Sequence, residues 1–141
     1  MAVYILMRLE LASGGTIGPG RIAILEGIDR FGSITAASKA VGLTYRQVWN
    51  VVQSLNEMFE KPLIEVRRSG RGGGAFLTPL GKEIIEHFRA MEDVANKSLA
   101  TRLAKFERLT GGNPKAPKRI PRWVEVREPC DKKAKKAKPK F

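Results

Sequence analysis

The 141-residue chain is predicted to fold as a mainly α domain carrying one small β-hairpin. Three observations predict it. Between Gly32 and Asn56, two short amphipathic segments, each opened by a hydroxyl residue, are joined by Val41-Gly42-Leu43. After Lys61-Pro62, two β-type runs, Leu63 to Val66 and Ala75 to Leu77, flank a basic, glycine-rich stretch, Arg67 to Gly74. From Thr78-Pro79 onward an apolar residue recurs every three or four positions as far as Phe106. Hydrophobic residues make up 43% of the chain, enough for the core of one domain.

The chain begins with alternation. Val3, Ile5, Met7, Leu9 and Leu11 face one way, with Arg8 and Glu10 opposite, so a strand is expected over Val3 to Leu11. Tyr4 and Leu6 on the second side suggest cover there too. Ala12 to Gly20 reads as turn material. Arg21 to Phe31 reads as a helix with Ile24, Leu25 and Ile28 inward, Arg21, Glu26 and Arg30 outward, and Gly32 as its stop.

Ser33 is the predicted N-cap of the next helix, because its hydroxyl can accept from an otherwise unpaired backbone N–H. Ala36, Ala37 and Ala40 give that helix a small packing face, and Gly42 can take the left-handed conformation the turn requires. Thr44 caps the following helix, residues 44–60, and Gln47 completes a capping box. Val48, Val52, Leu55 and Phe59 form its buried stripe. Arg46, Gln47, Asn50 and Gln53 fall off that stripe. This is the layout of a helix-turn-helix, whose second helix enters the DNA major groove. A helical hairpin in an ordinary core would share the Ala-rich face, but the β-hairpin that follows favours the first reading.

That hairpin then reads as a wing. Arg67, Arg68 and Arg71 are placed to meet phosphates or a minor groove, around a flexible tip that includes Gly72 and Gly73. Nucleotide-cradling loops fit less well. Gly81-Lys82 is followed by Glu83 rather than Ser or Thr, so there is no P-loop, and Gly70-x-Gly72 lies between two strands rather than before a helix.

Thr78 as N-cap and Pro79 in the first turn start a helix expected to reach about Leu109. At ~1.5 Å per residue it would be roughly 45 Å long. Its stripe is Leu80, Ile84, Phe88, Met91, Val94, Ala95, Leu99, Leu103 and Phe106. This exceeds what one small core needs, so a second copy is the expected partner, with Leu80, Ile84, Phe88, Met91, Ala95, Leu99 and Leu103 as the dimer interface. Gly111-Gly112-Asn113-Pro114 breaks the helix. Residues 1–110 are thus the expected folded domain, and 111–141 a basic Pro/Lys-rich tail expected to be disordered.

Net charge is +12 and unevenly placed. Residues 1–112 hold 15 Lys/Arg against 11 Asp/Glu, whereas residues 113–141 hold 11 against 3. Such an excess points to a polyanionic partner. No apolar run is long enough for a bilayer, and Arg8 and Glu10 interrupt the N-terminal stretch that would otherwise resemble a signal peptide. Cys130 stands alone, so no disulfide can form within the chain, which suits the cytoplasm and, for a DNA binder, the nucleoid. His87 and Cys130 lie in different segments, which offers no metal spacing, and His87 reads as a helix-surface residue. No nucleophile–base pair or paired carboxylates suggest an enzyme.

Two stretches, GPGRIAILEGIDRFGSITAASKAVGLTYRQVWNVVQSLNEMF and PLIEVRRSGRGGGAFLTPLGKEII, carry a resemblance. They closely resemble the N-terminal DNA-binding domain of the molybdate-responsive regulator (ModE) family, a LysR-like winged helix. Its most specific pieces here are Gly32-Ser33-Ile34, Tyr45 with Trp49, Pro62-Leu63, Gly72-Gly73-Gly74-Ala75, and Leu77-Thr78-Pro79-x-Gly81. The resemblance covers about residues 3–110. It implies a dimer built from the N-terminal strand and the long helix, with paired recognition helices on a palindromic operator. By position it implies that Thr44, Tyr45, Arg46, Gln47 and Asn50 face the DNA, with Arg67, Arg68 and Arg71 in the wing; Ser33, Gly72 and Gly73 complete the candidate DNA-binding set. Full-length members of that family carry C-terminal oligonucleotide-binding-like domains that hold molybdate. The tail here is too short for them, so the expectation is a short form with no cofactor and no molybdate response. The expected function is a homodimeric, sequence-specific transcription regulator. Its rival is a nucleoid-associated or architectural DNA-binding protein of low specificity.

Overall fold

The computed structural model describes Val3 and residues 5–67 and 74–111. The expected tail beyond residue 111, Cys130 within it, and the wing residues Arg68, Arg71, Gly72 and Gly73 lie outside the described residues.

β1 (Leu9–Glu10) pairs antiparallel with β2 (Thr16–Ile17), Leu9 opposite Ile17 and Glu10 opposite Thr16. The strand expected over Val3 to Leu11 therefore shrinks to two paired residues, since its partner within the chain is itself two residues long. The alternation still governs burial. Ile5, Met7, Leu9 and Leu11 are half-buried, while Leu6, Arg8 and Glu10 are exposed. Leu6 is 43% exposed, so the second side is not covered at that position, while Tyr4 lies outside the described residues. Ala12 to Gly20 is likewise more than a turn: it holds β2 and the first residues of the next helix.

α1 (Pro19–Phe31) buries Ile22, Ala23, Ile24, Leu25, Gly27 and Ile28 and stops at Gly32. α2 (Ile34–Val41) is capped by the Ser33 hydroxyl, which accepts from the Ala36 N–H at 3.0 Å. Ala37 is fully buried, and Gly42 closes the helix in the left-handed region at φ 73°. α3 (Tyr45–Met58) has the full capping box. It is shorter than the expected 44–60, because Thr44 is its cap and Phe59 has already turned to extended backbone (φ −119°, ψ 156°). The ring of Phe59 is half-buried against the core all the same.

β3 (Ile64–Arg67) and β4 (Gly74–Leu77) form the antiparallel hairpin, with Ile64 opposite Leu77 and Arg67 opposite Gly74. Its base is welded to the next helix. Thr78 accepts from the Gly81 N–H at 3.2 Å, and its own hydroxyl donates to the Pro62 carbonyl at 2.8 Å. A Cβ on Gly81 would stand 2.4 Å from the Leu63 carbonyl oxygen, so only glycine lets the helix approach this closely.

The single long helix expected as far as Leu109 is two: α4 (Pro79–Ser98) and α5 (Ala100–Leu109), interrupted at Leu99 (φ −104°, ψ 8°). Bonds from Leu99 N–H to the Ala95 carbonyl (3.1 Å) and from Leu103 N–H to the Leu99 carbonyl (2.8 Å) bridge the break. It falls where the helix has left the core: α4 buries Gly81, Phe88 and Glu92, and α5 buries nothing. The core gathers Ile22, Leu25, Ile28, Val48, Val52, Leu55, Leu63 and Phe88, each under 2% exposed.

Under α4 lies a charged cluster. Arg89 donates to Glu92 at 2.6 Å and makes a second, bifurcated contact to Glu26 on α1. Burial disfavours the charged guanidinium, but hydrogen bonds to Glu26 and then Glu92 outweigh it and leave its proton affinity raised. On the other side of Glu92, Asn96 donates to the Glu92 carbonyl at 2.9 Å and accepts from the Ile5 N–H at 3.3 Å, tying the N-terminal segment to α4.

Candidate nucleic-acid interface

The candidate interface is built on α3, which has a locked back and an open front. Val48, Val52 and Leu55 are each fully buried behind it. Arg21 of α1 braces the same helix by donating to the Ser54 hydroxyl at 3.0 Å. Arg46, Asn50, Gln53 and Glu57 are exposed at intervals of four, three and four residues, which sets them along one outward stripe. Among the described residues no hydrogen bond or ion pair engages Arg46, Asn50 or Gln53. Three polar heads are thus left to solvent, with the acidic Glu57 at the far end of the helix. Arg can bond both major-groove acceptors of guanine, and Asn or Gln the donor–acceptor pair of adenine.

The other α3 candidates divide. Tyr45 is 52% exposed and stacks on Trp49, with ring centroids 6.5 Å apart and planes within 8°. Thr44 and Gln47 are exposed, yet they serve the helix itself. The Thr44 hydroxyl accepts from the Gln47 N–H at 3.2 Å, and the Gln47 side-chain oxygen accepts from the Thr44 N–H at 2.9 Å. With its acceptor occupied, Gln47 keeps only its amide donors for a base edge. The Ser33 hydroxyl, half-buried at the start of α2, is likewise engaged as a cap.

In the wing, Arg67 is exposed at the end of β3, its guanidinium 5.2 Å from the ring centroid of Phe76 on the opposite strand. That contact holds a flexible cation over an aromatic face. Nothing in the sequence singled out Phe76 for it. Asn56 was missed as well. Its side-chain oxygen accepts from the Leu63 N–H (2.9 Å) and the Ile64 N–H (3.1 Å), and its amide donates to the Ile64 carbonyl (3.0 Å).

The expected dimer face needs correction at its near end. Phe88 is 1% exposed inside the protomer's own core, and Leu80 and Ile84 pack against that same core. A helical stripe marks which face is buried, not which neighbour buries it. Farther along, Ala95 and Leu103 are half-buried, while Met91 (41%), Val94 (64%), Leu99 (44%) and Phe106 (59%) are exposed in the single chain. His87 lies on the surface of α4, 3.6 Å from Glu83. Among the described residues, no cluster of three or more His, Cys, Asp or Glu could hold a metal ion, and no helix is long and apolar enough to cross a membrane.

Comparison with known proteins places this geometry. Residues 20–82 match the family described as bacterial regulatory helix-turn-helix protein, lysR family. The molybdenum-pterin-binding protein MopA of Rhodobacter capsulatus is 39% identical over 94 residues, covering 66% of this chain and 36% of the relative. The molybdenum transport protein ModE of Azotobacter vinelandii is 34% identical over 115 residues, covering 81% and 43%. The DNA-binding transcriptional dual regulator ModE of Escherichia coli (strain K12) is 31% identical over 99 residues, covering 70% and 38%. The chain thus spans less than half the length of these curated relatives. A solved structure, the crystal structure of a CbnR_DBD–DNA complex, superposes with a TM-score of 0.50 at 22% identity, covering 63% of this chain and 98% of that one. The fold is therefore the winged helix-turn-helix that the sequence predicted.

Proposed function

From the premise that residues 20–82 are a LysR-type helix-turn-helix domain, we propose that this chain is a sequence-specific DNA-binding transcription regulator acting as a homodimer. The observation that carries the proposal is the outward stripe Arg46–Asn50–Gln53, exposed and unengaged on a helix whose other face is locked in the core. A buried back is ordinary for a surface helix; here it holds three unengaged polar heads in fixed register, as presentation to base edges requires. Arg67 supplies a cation from the wing, where a phosphate contact would fix the docking without reading sequence.

The homodimer is supported by Met91, Val94, Leu99 and Phe106, large apolar side chains left open along α4 and α5. A second copy would cover them and set two α3 helices on neighbouring major-groove faces, as a two-fold operator requires. The rival reading, an architectural DNA binder, is favoured by one observation: residues 113–141 carry 11 Lys/Arg against 3 Asp/Glu, a charge suited to any duplex. Selection from a randomised duplex library, followed by competition against random DNA at physiological salt, separates the two. A regulator prefers its selected site by roughly 10³-fold or more. Enrichment of no sequence would leave the architectural reading.

A further inference from the structure

We infer that Asn56 is a positioning residue that aims the wing relative to the recognition helix, an inference that rests on the DNA-binding reading above. Asn56 lies on the flank of α3, three residues beyond Gln53 on the outward stripe. Its one side-chain amide makes three bonds to the start of the wing, accepting from the Leu63 and Ile64 N–H groups and donating to the Ile64 carbonyl. A backbone segment held at three points by one planar group has little freedom to rotate about it. The hairpin's other polar braces run to other elements: the Ala75 N–H to the Gly32 carbonyl at 3.0 Å ties β4 to the end of α1, and the Thr78 N–H (2.9 Å) and hydroxyl (3.2 Å) tie the Leu63 carbonyl to the start of α4. Among the described residues, the direct polar tie between wing and recognition helix is therefore Asn56.

The leverage makes this matter for binding. Arg67 stands three residues beyond Ile64 on β3, about 10 Å away at ~3.3 Å per strand residue. A swing of about ten degrees at the clasp would move it by nearly ~2 Å, well outside the tolerance of a hydrogen bond to phosphate. Phe76 steadies the guanidinium locally, but Phe76 rides on the same hairpin and swings with it. Asn56 is thus coupled to Arg67 and uncoupled from Arg46, whose place is fixed by the core behind α3.

A double-mutant cycle on the full chain tests this, with the library-selected duplex as probe. In the wild-type background, Arg67→Ala should weaken binding roughly tenfold, as loss of a charged hydrogen bond does. In an Asn56→Ala background, the same change should cost less than about threefold, because the cation is already misplaced. Arg46→Ala should cost the same factor in both backgrounds. Thermal melts confirm that each variant is folded at the assay temperature. If Asn56→Ala fails to fold, Asn56→Asp, which keeps both acceptor contacts and loses the donation to the Ile64 carbonyl, takes its place in the cycle. An Arg67→Ala cost that is equal in both backgrounds, or absent in the wild type, overturns the inference. Unfolding of both Asn56 variants overturns it too, since the clasp is then only a determinant of the fold. A wild-type chain that selects no duplex would instead defeat the underlying reading, an outcome distinct from any of these.

Discussion

Arg89→Met removes the guanidinium between α1 and α4 while nearly keeping the length of the side chain. Its consequences differ for the two carboxylates. The Glu92 side chain is 5% exposed and cannot turn to water, whereas Glu26 is 30% exposed and can rehydrate. Removing one member of a buried ion pair costs about 3–5 kcal/mol, and the partial freedom of Glu26 places Arg89→Met near the lower end, about 3 kcal/mol. For a domain of this size ~4–8 °C accompanies each kcal/mol, so the melting midpoint should fall by roughly 12–24 °C. The burial that opposes Arg89's charge is outweighed by its bonds to Glu26 and Glu92, and its raised proton affinity fixes the sign of the pH dependence. The stabilisation is fully present below the unfolded arginine pKa and is lost only as pH rises through the still higher folded value. Arg89's own contribution in the wild type should therefore be flat between about pH 6 and pH 9. Urea titrations at fixed protein concentration measure it. The double variant Arg89→Met/Glu92→Leu should recover most of the loss, because apolar groups replace a buried pair at little cost. A penalty for Arg89→Met under ~1 kcal/mol, or a double variant no more stable than the single, would refute the reasoning.

Three further outcomes are expected. Arg46→Ala should cost roughly 1–3 kcal/mol at the selected site and relax preference at one base position per half-site, read by binding to duplexes substituted position by position; an equal loss on every sequence would reduce Arg46 to a backbone grip. Val94→Glu and Leu99→Glu, at positions 64% and 44% exposed, should leave the protomer folded but yield monomers by sedimentation at micromolar concentration; a full dimer would remove this face from the interface. Truncation after Gly112 takes away 11 Lys/Arg and 3 Asp/Glu and should flatten the salt dependence of binding while leaving site preference nearly unchanged; a collapse of preference would mean that the tail reads sequence.

What could be read from the sequence was what local chemistry decides. The Ser33 cap, the Gly42 turn and the Thr44–Gln47 box each depend on residues within four positions, and each stands where the sequence placed it. Contacts across distance were not legible. Glu92 looks like any acidic residue on an exposed helix, yet it is buried beside Arg89, whose guanidinium reaches back 63 residues to Glu26. Asn56 looks like polar filling near a helix end, since nothing local announces that Leu63 and Ile64 return to it. Phe88 was given to a partner because periodicity marks a buried face without naming its neighbour. The N-terminal strand was overextended for a related reason: alternation described the burial of Ile5, Met7, Leu9 and Leu11 correctly but could not supply a strand to pair with.

The ties at the base of the hairpin bear on how the protein survives at high concentration. A two-stranded ribbon has two raw rims, and unpaired N–H and C=O groups along them invite strands from other molecules. Here β3's rim is stopped by Asn56, which occupies the outward N–H and C=O of Ile64, and β4's rim is stopped by the Gly32 carbonyl on the Ala75 N–H. Neither stopper is a strand, so neither can be extended into a larger sheet. At Ile64 and Ala75 the ribbon's root is thus closed to β-addition.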